Sequence, residues 1–265
     1  MNDHNLNRLE GSSDELRIFL NEKASAFEHP KFAVDDPVEF PRRYRAQAWD
    51  AEVAGLFAAV WAWGQRKSIR SSLENLFSSM DDAPGDFVLQ ASDRELAKWK
   101  PGHRTFLPED GRVFVRGLRR LHQEHGSLAP LFQPTETDIN YFNALDRFRL
   151  AFLKAAEAPA RTAKHVASPA AGSAAKRLHL YLRWMVRPAA GGVDLGLWSH
   201  LPKSKLSCPL DVHSGRVARS LGLLQRTATD ARAVLELDAA LRTLDPQDPV
   251  KYDYALFGMG VEGLL

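Results

Sequence analysis

The feature that most restricts this chain is the stepping of its apolar residues, which advances by three and four and does not alternate. Val53, Leu56, Phe57, Val60 and Trp61 are separated by 3, 1, 3 and 1 positions, which puts them on one side of an α-helix. Phe142, Leu145, Phe148 and Phe152 step by 3, 3 and 4. Leu178, Tyr181, Leu182 and Met185 share a face in the same way. No alternating apolar and polar run is long enough for a strand. The chain is therefore expected to be all-α.

Punctuation between these blocks sets the expected order of helices. Ser12 and Glu15 form a capping box for a first helix with Leu16, Phe19 and Leu20 on its apolar face, after a frayed tail over 1–12. Pro37 and Pro41 reduce 36–44 to a helical turn and loop. The block 46–80 reads as two helices parted at Gly64, with Ile69, Leu73 and Leu76 opening the second face. A less regular helical region follows Pro84 and Gly85. Further helices are expected over 110–124, 139–156 and 173–186, and two or three more near 211–223, 230–243 and 249–258. Residues 157–172 read as a linker or hairpin, and 188–210 as a proline-bearing loop. There is no internal repeat.

Length and composition exclude several classes. With 265 residues the chain has room for one large domain or two interlocked lobes. Hydrophobic residues at 45% and charged residues at 26% match globular averages, so a wholly disordered chain is excluded. The longest near-apolar stretch, 53–64, falls short of the roughly 20 residues that span a bilayer. The opening MNDHNLNRLEGSSDE is too polar for a signal peptide, and a reducing cytoplasm is the expected home. One cysteine, Cys208, excludes an internal disulfide, a four-cysteine zinc site and a four-cysteine iron–sulfur cluster. Neither a phosphate-binding GxxxxGK loop nor GxSxG, GxGxxG after a strand or HExxH occurs. His122 and His125 lack convergent partners, so no metal and no cofactor is expected.

The net charge of +2 hides an asymmetry. Between Arg161 and Arg226 eleven basic residues face only Asp194 and Asp211, a local charge of +9 that leaves −7 for the rest. That distribution fits either a polyanion site or an unevenly charged solvated face.

The segment 209–224, PLDVHSGRVARSLGLL, is the most informative. Pro209 followed by Asp211 and the helical pattern Val212, Val217, Leu221 and Leu224 places Asp211 at a helix N-cap. A cap alone explains an aspartate there. The same position also keeps a carboxylate ionised at neutral pH, with His213 and Arg216 close to the same helix end.

The pattern Asp-x-His-x-x-Arg-Val at 211–217 resembles the catalytic aspartate segment of the helix–hairpin–helix DNA glycosylases, the relatives of endonuclease III and of the 8-oxoguanine DNA glycosylases. The chain also resembles, over roughly 30–262, a family of bacterial proteins of unassigned function. That likeness rests on Asp50 to Glu52, AWGQRKSI (62–69), GSAAKRLHLYLRWMVR (172–187), DLGLW (194–198), PLDVH (209–213) and DPVKYDYALFGMG (248–260). The resemblance implies a two-lobed helical architecture. A lobe from 13–45 and 200–265 would face a central barrel over 46–199, with the hairpin at about 168–176 and the site between.

It also implies an activity: cleavage of the N-glycosidic bond of a damaged base in double-stranded DNA, with or without a lyase step. Asp211 would be catalytic. Backbone amides at Ala171, Gly172 and Ser173 would hold phosphate, and Arg177, Arg183, His213 and Arg216 would extend the contact. Gln65 or Arg66 would fill the gap left by a flipped base, and Trp63, Trp184 or Trp198 would line its pocket. Plainer readings stand beside these. The tryptophans suit a core, Arg183 and Arg187 could pair with Asp194, and Arg66 could simply cap a helix.

The departures matter. Lyases of the family carry their nucleophilic lysine two residues after the second hairpin glycine, where this chain has Ala174. Lys176 lies two positions further on, and two helical positions turn a side chain by about 200°. Lys176 is thus open to three readings: nucleophile, phosphate contact, or neither. The spacing to Asp211 is long, and the cluster cysteines of endonuclease III relatives are missing, so no iron–sulfur cluster is expected. Asp50 and Glu52 are read as complementing a helix dipole; nothing in their spacing joins them to Asp211 as paired glycosidase acids. The alternatives to a DNA enzyme are a non-catalytic nucleic-acid binding module and a glycosylase for RNA or free nucleosides. Oligomeric state is not legible.

Overall fold

The computed structural model describes residues 13–264. The expected tail over 1–12, and Ser12 of the expected capping box, lie outside the described residues. Within them the protein is all-α, with no strand. Its helices are α1 (Ser13–Phe27), α2 (Glu39–Arg43), α3 (Ala48–Trp61), α4 (Arg66–Ser78), α5 (Pro84–Gln90) and α6 (Asp93–Lys98). They continue with α7 (Pro108–His125), α8 (Phe142–Ala155), α9 (Lys176–Val186), α10 (Val212–Ser220), α11 (Ala231–Leu244) and α12 (Tyr252–Glu262).

The most apolar helix, α3, is buried on every side, from Ala51 to Trp61. A helix without a polar face has to sit inside other helices, and α2, α5 and α9 pack around it. The close approach of α9 depends on Gly55, where a Cβ would lie 2.4 Å from Met185 Cε. Elements from distant parts of the chain also lie together: α12 packs against both α1 and α10. The buried side chains form one connected core from Leu20 to Met259.

Two buried polar hubs tie these groups together. Glu52 lies inside α3, so its role is not that of a dipole complement at a helix start. Its carboxylate accepts from Ser127 Oγ (2.6 Å), Leu128 N (2.8 Å) and Trp198 Nε1 (2.9 Å). Arg187, at the end of α9, donates to Glu28 Oε1 (2.8 Å), Asp194 Oδ2 (2.6 Å) and Asp248 Oδ1 (3.0 Å). A buried ion costs several kcal/mol unless partnered, and each of these groups has its partners.

No helix among the described residues is long and apolar enough to cross a membrane.

Candidate active site

Asp211 takes up the N-cap position of α10 with extended backbone. Its Oδ1 accepts from the amides of His213 (2.8 Å) and Ser214 (2.9 Å), and Ser214 Oγ accepts from the Asp211 amide (2.9 Å). The cap fixes the carboxylate and leaves Oδ2 for another partner. That partner is Lys176, whose Nζ stands 2.8 Å away. The pair joins residues 35 positions apart, with side-chain exposure of 34% at Lys176 and 12% at Asp211.

Lys176 is the first residue of α9, and Ala175 before it is left-handed at φ +44°. The two positions that displace this lysine from the family pattern therefore lie in a turn, and no helical rotation separates Lys176 from Asp211. A cation at a helix N-terminus opposes the helix dipole; the Asp211 carboxylate compensates it. Burial opposes ionisation of Asp211, but the Lys176 charge, its hydrogen bond and the Ser214 amide outweigh burial and hold the carboxyl below its usual range.

Beyond the pair, contacts run from α10 to α12 and on to Arg66 of α4. The Gly260 carbonyl accepts from Arg216 Nη2 (2.7 Å) and lies 3.2 Å from His213 Nδ1. Phe257 is half-buried, with the His213 ring edge-on at 6.0 Å and the Arg66 guanidinium 5.6 Å from its centroid. Gln65 is exposed at the N-cap of α4. Trp63 is half-buried under Arg104, whose guanidinium lies 4.3 Å from its ring. His103 fastens that turn, with Nε2 3.1 Å from the Trp63 carbonyl and Nδ1 3.0 Å from Ser72 Oγ.

Other expected site residues are used differently. Arg183 is buried, bonded to Asp253 and 3.3 Å from Asp194, so its charge is spent inside the protein and not on phosphate. Arg177 donates to the Val60 carbonyl (2.7 Å) at the end of α3, where helix geometry leaves acceptors free. Trp184 and Trp198 are fully buried and belong to the core, not to a pocket wall.

The hairpin departs further from expectation. The Ala171 amide donates to Ser168 Oγ (3.1 Å), the Gly172 amide to the Pro169 carbonyl (2.8 Å) and the Ser173 amide to the Ser168 carbonyl (3.1 Å). Asp146 of α8 accepts from the Ala170 amide (2.9 Å) and from Ser168 Oγ (2.6 Å). These amides are satisfied within the fold, and a carboxylate already sits among them. The sequence carried no signal for the roles of Asp146 and Phe257, and marked His103 only as part of a cationic loop with Arg104, because each matters through a partner remote in the chain.

Two surface hollows, one lined by Pro30, Glu39, Arg43 and Arg70 and one by Met80, Asp86 and Trp99, include neither Lys176 nor Asp211. Among the described residues no group of three or more His, Cys, Asp or Glu is placed to hold a metal ion.

Fold and site define an all-helical protein with a lysine–aspartate pair held between two helix N-termini. The chain belongs to a family described as protein of unknown function (DUF2400), whose sequence profile matches residues 36–262. No curated protein and no solved structure matches it.

Proposed function

We propose that this protein is a base-excision N-glycosylase of the helix–hairpin–helix type, acting on a damaged base in DNA. The observation that carries this reading is the 2.8 Å pair between Asp211, the aspartate of the resembling motif, and Lys176, the lysine nearest the hairpin. Breaking the bond between C1′ and the base nitrogen sends the electron pair out with the base and leaves a cationic sugar. The fixed Asp211 carboxylate stabilises that charge, which is worth most where water is partly excluded. It also takes the proton of the water that adds to C1′, while the base is protonated by solvent.

A lyase branch uses the same pair. Lys176 gives up a proton to solvent, and its free amine forms the C1′–N bond as the base departs with the electron pair and is protonated by solvent, Asp211 staying ionised beside the sugar. Unstacking the target base costs a few kcal/mol. Arg66, His213 and Arg216, with Phe257 between them, offer charge and a ring to repay part of that cost.

A second reading is favoured by one observation. With the amides of 170–173 donated internally, the hairpin offers a duplex less than its relatives would, which suits a free nucleoside or a short substrate. End-labelled duplexes carrying a panel of damaged bases, read with and without hot alkali, test both. Breaks only after alkali mean hydrolysis, and breaks without alkali mean the Lys176 branch. Base release from nucleosides but from no duplex moves the assignment to the second reading. Silence on every substrate overturns both.

A further inference from the structure

The segment that delivers Asp211 to Lys176 is stitched from behind by two buried acids. Cys208, three residues before Asp211, donates its amide to Asp238 Oδ1 of α11 (3.0 Å) and its thiol to Asp253 Oδ1 of α12 (3.4 Å). The Leu210 amide closes back on the Cys208 carbonyl (2.7 Å), so little slack remains before Asp211. Asp253 and Cys208 are both fully enclosed, and Asp253 is held from its other side by Arg183. A buried carboxylate is costly unless its lone pairs are used, and here the use is directed at the site segment. Burial first, and then the negative charges of Asp253, Asp238 and Asp211, push the Cys208 thiol well above its ordinary value, which keeps it a donor.

We propose that Asp253 is a positioning residue for Asp211, acting through the Cys208 thiol to fix where the Asp211 carboxylate meets Lys176. The inference concerns the site assigned above and rests on that reading for its catalytic meaning.

The test compares Cys208→Ala, which removes the donor, with Cys208→Ser, which keeps one at nearly the same place. Asp253→Asn serves as a third variant, which keeps an acceptor but loses the charge. Two readouts are taken on each folded variant: the carboxyl 13C resonance of Asp211 with the Nζ 15N resonance of Lys176, and the single-turnover rate beside duplex affinity. The expected result is a displaced Asp211–Lys176 signature in Cys208→Ala and recovery in Cys208→Ser. The chemical step should slow about tenfold to a hundredfold, as sub-ångström misplacement does, with affinity within twofold. Unmoved resonances in both Cys208→Ala and Asp253→Asn overturn the inference whatever the activity. Displaced resonances in a protein whose wild type cleaves nothing leave the positioning intact and remove the glycosylase reading instead. Cys208→Ala that loses thermal stability but keeps the wild-type rate assigns the contact to folding alone and overturns the proposal.

Discussion

Replacing Asp211 by asparagine separates its two roles, because the two oxygens have different partners. Oδ1 caps α10 through the His213 and Ser214 amides, and an asparagine oxygen accepts the same bonds. Oδ2 carries the charge that meets Lys176 at 2.8 Å. Since Lys176 is one-third exposed, that ion pair contributes at most about 1 kcal/mol. Asp211→Asn should therefore lower the melting temperature by no more than about 2–4 °C for a chain of this size. Asp211→Ala also loses the cap and should cost a further 0.5–2 kcal/mol or so.

Activity should behave otherwise. Asparagine keeps the geometry but supplies no anion beside the sugar, and base release should fall by about a hundredfold to a thousandfold. Calorimetry on the two variants and single-turnover cleavage on a damaged duplex give both numbers. If Asp211→Asn cleaves at the wild-type rate, Asp211 is a helix cap and nothing more; if it unfolds as readily as Asp211→Ala, the separation of roles between the two oxygens is refuted.

Three further outcomes follow from the packing. Glu52→Ala leaves Ser127, Leu128 and Trp198 with buried donors unanswered, at about 1–3 kcal/mol each, so denaturant unfolding should register a loss of several kcal/mol. Asp238, raised to about 6 by burial against the opposing pull of Arg242, holds its proton more tightly folded than unfolded. Its contribution is complete below the unfolded carboxyl value of 3.8 and is lost as pH rises through about 6. Asp238→Asn should remove that fall from the pH profile of stability; an unchanged profile refutes the assignment. Gly260→Ala puts a Cβ 2.8 Å from the His213 carbonyl, so it should push α10 off α12, cost about 1–3 kcal/mol, and disturb the Lys176–Asp211 resonances together.

The helices were legible where one face is apolar and long enough to repeat. The spacing around Val53 to Trp61 located α3, and Asp211 before Val217 and Leu221 located the cap of α10. The pair α5 and α6 was only a vague helical region in the sequence, because six- and seven-residue helices complete no repeat. Charges were harder to read. Arg183 and Arg187 could be read as a surface track or as partners of Asp194; Asp194 takes both, and Asp253 and Asp248, 70 and 61 positions away, complete an inward turn that spacing alone did not decide. The hairpin lysine misled for a local reason: counting from Gly172 assumed helix where Ala175 makes a left-handed turn. Asp146 was invisible because a carboxylate that occupies a turn leaves no trace at the turn itself.

The partners of Arg187 also bear on how the chain acquires its structure. Glu28, Asp194 and Asp248 stand 159, 7 and 61 positions from that one guanidinium. Closing loops of such unequal length is entropically uphill until most of the chain is already in place. A half-formed intermediate would strand a guanidinium in an apolar surrounding, a state several kcal/mol above its neighbours. The early residues near Glu28 and the late ones near Asp248 are thus coupled in a single transition, and amide exchange along α1, α9 and α12 should converge on one opening free energy. A fragment ending before Asp248 would keep Glu28 and Asp194 on that charge but lose Asp248, and would leave Arg183 without Asp253, so α9, which begins with Lys176, should be less stably ordered until the last helix arrives.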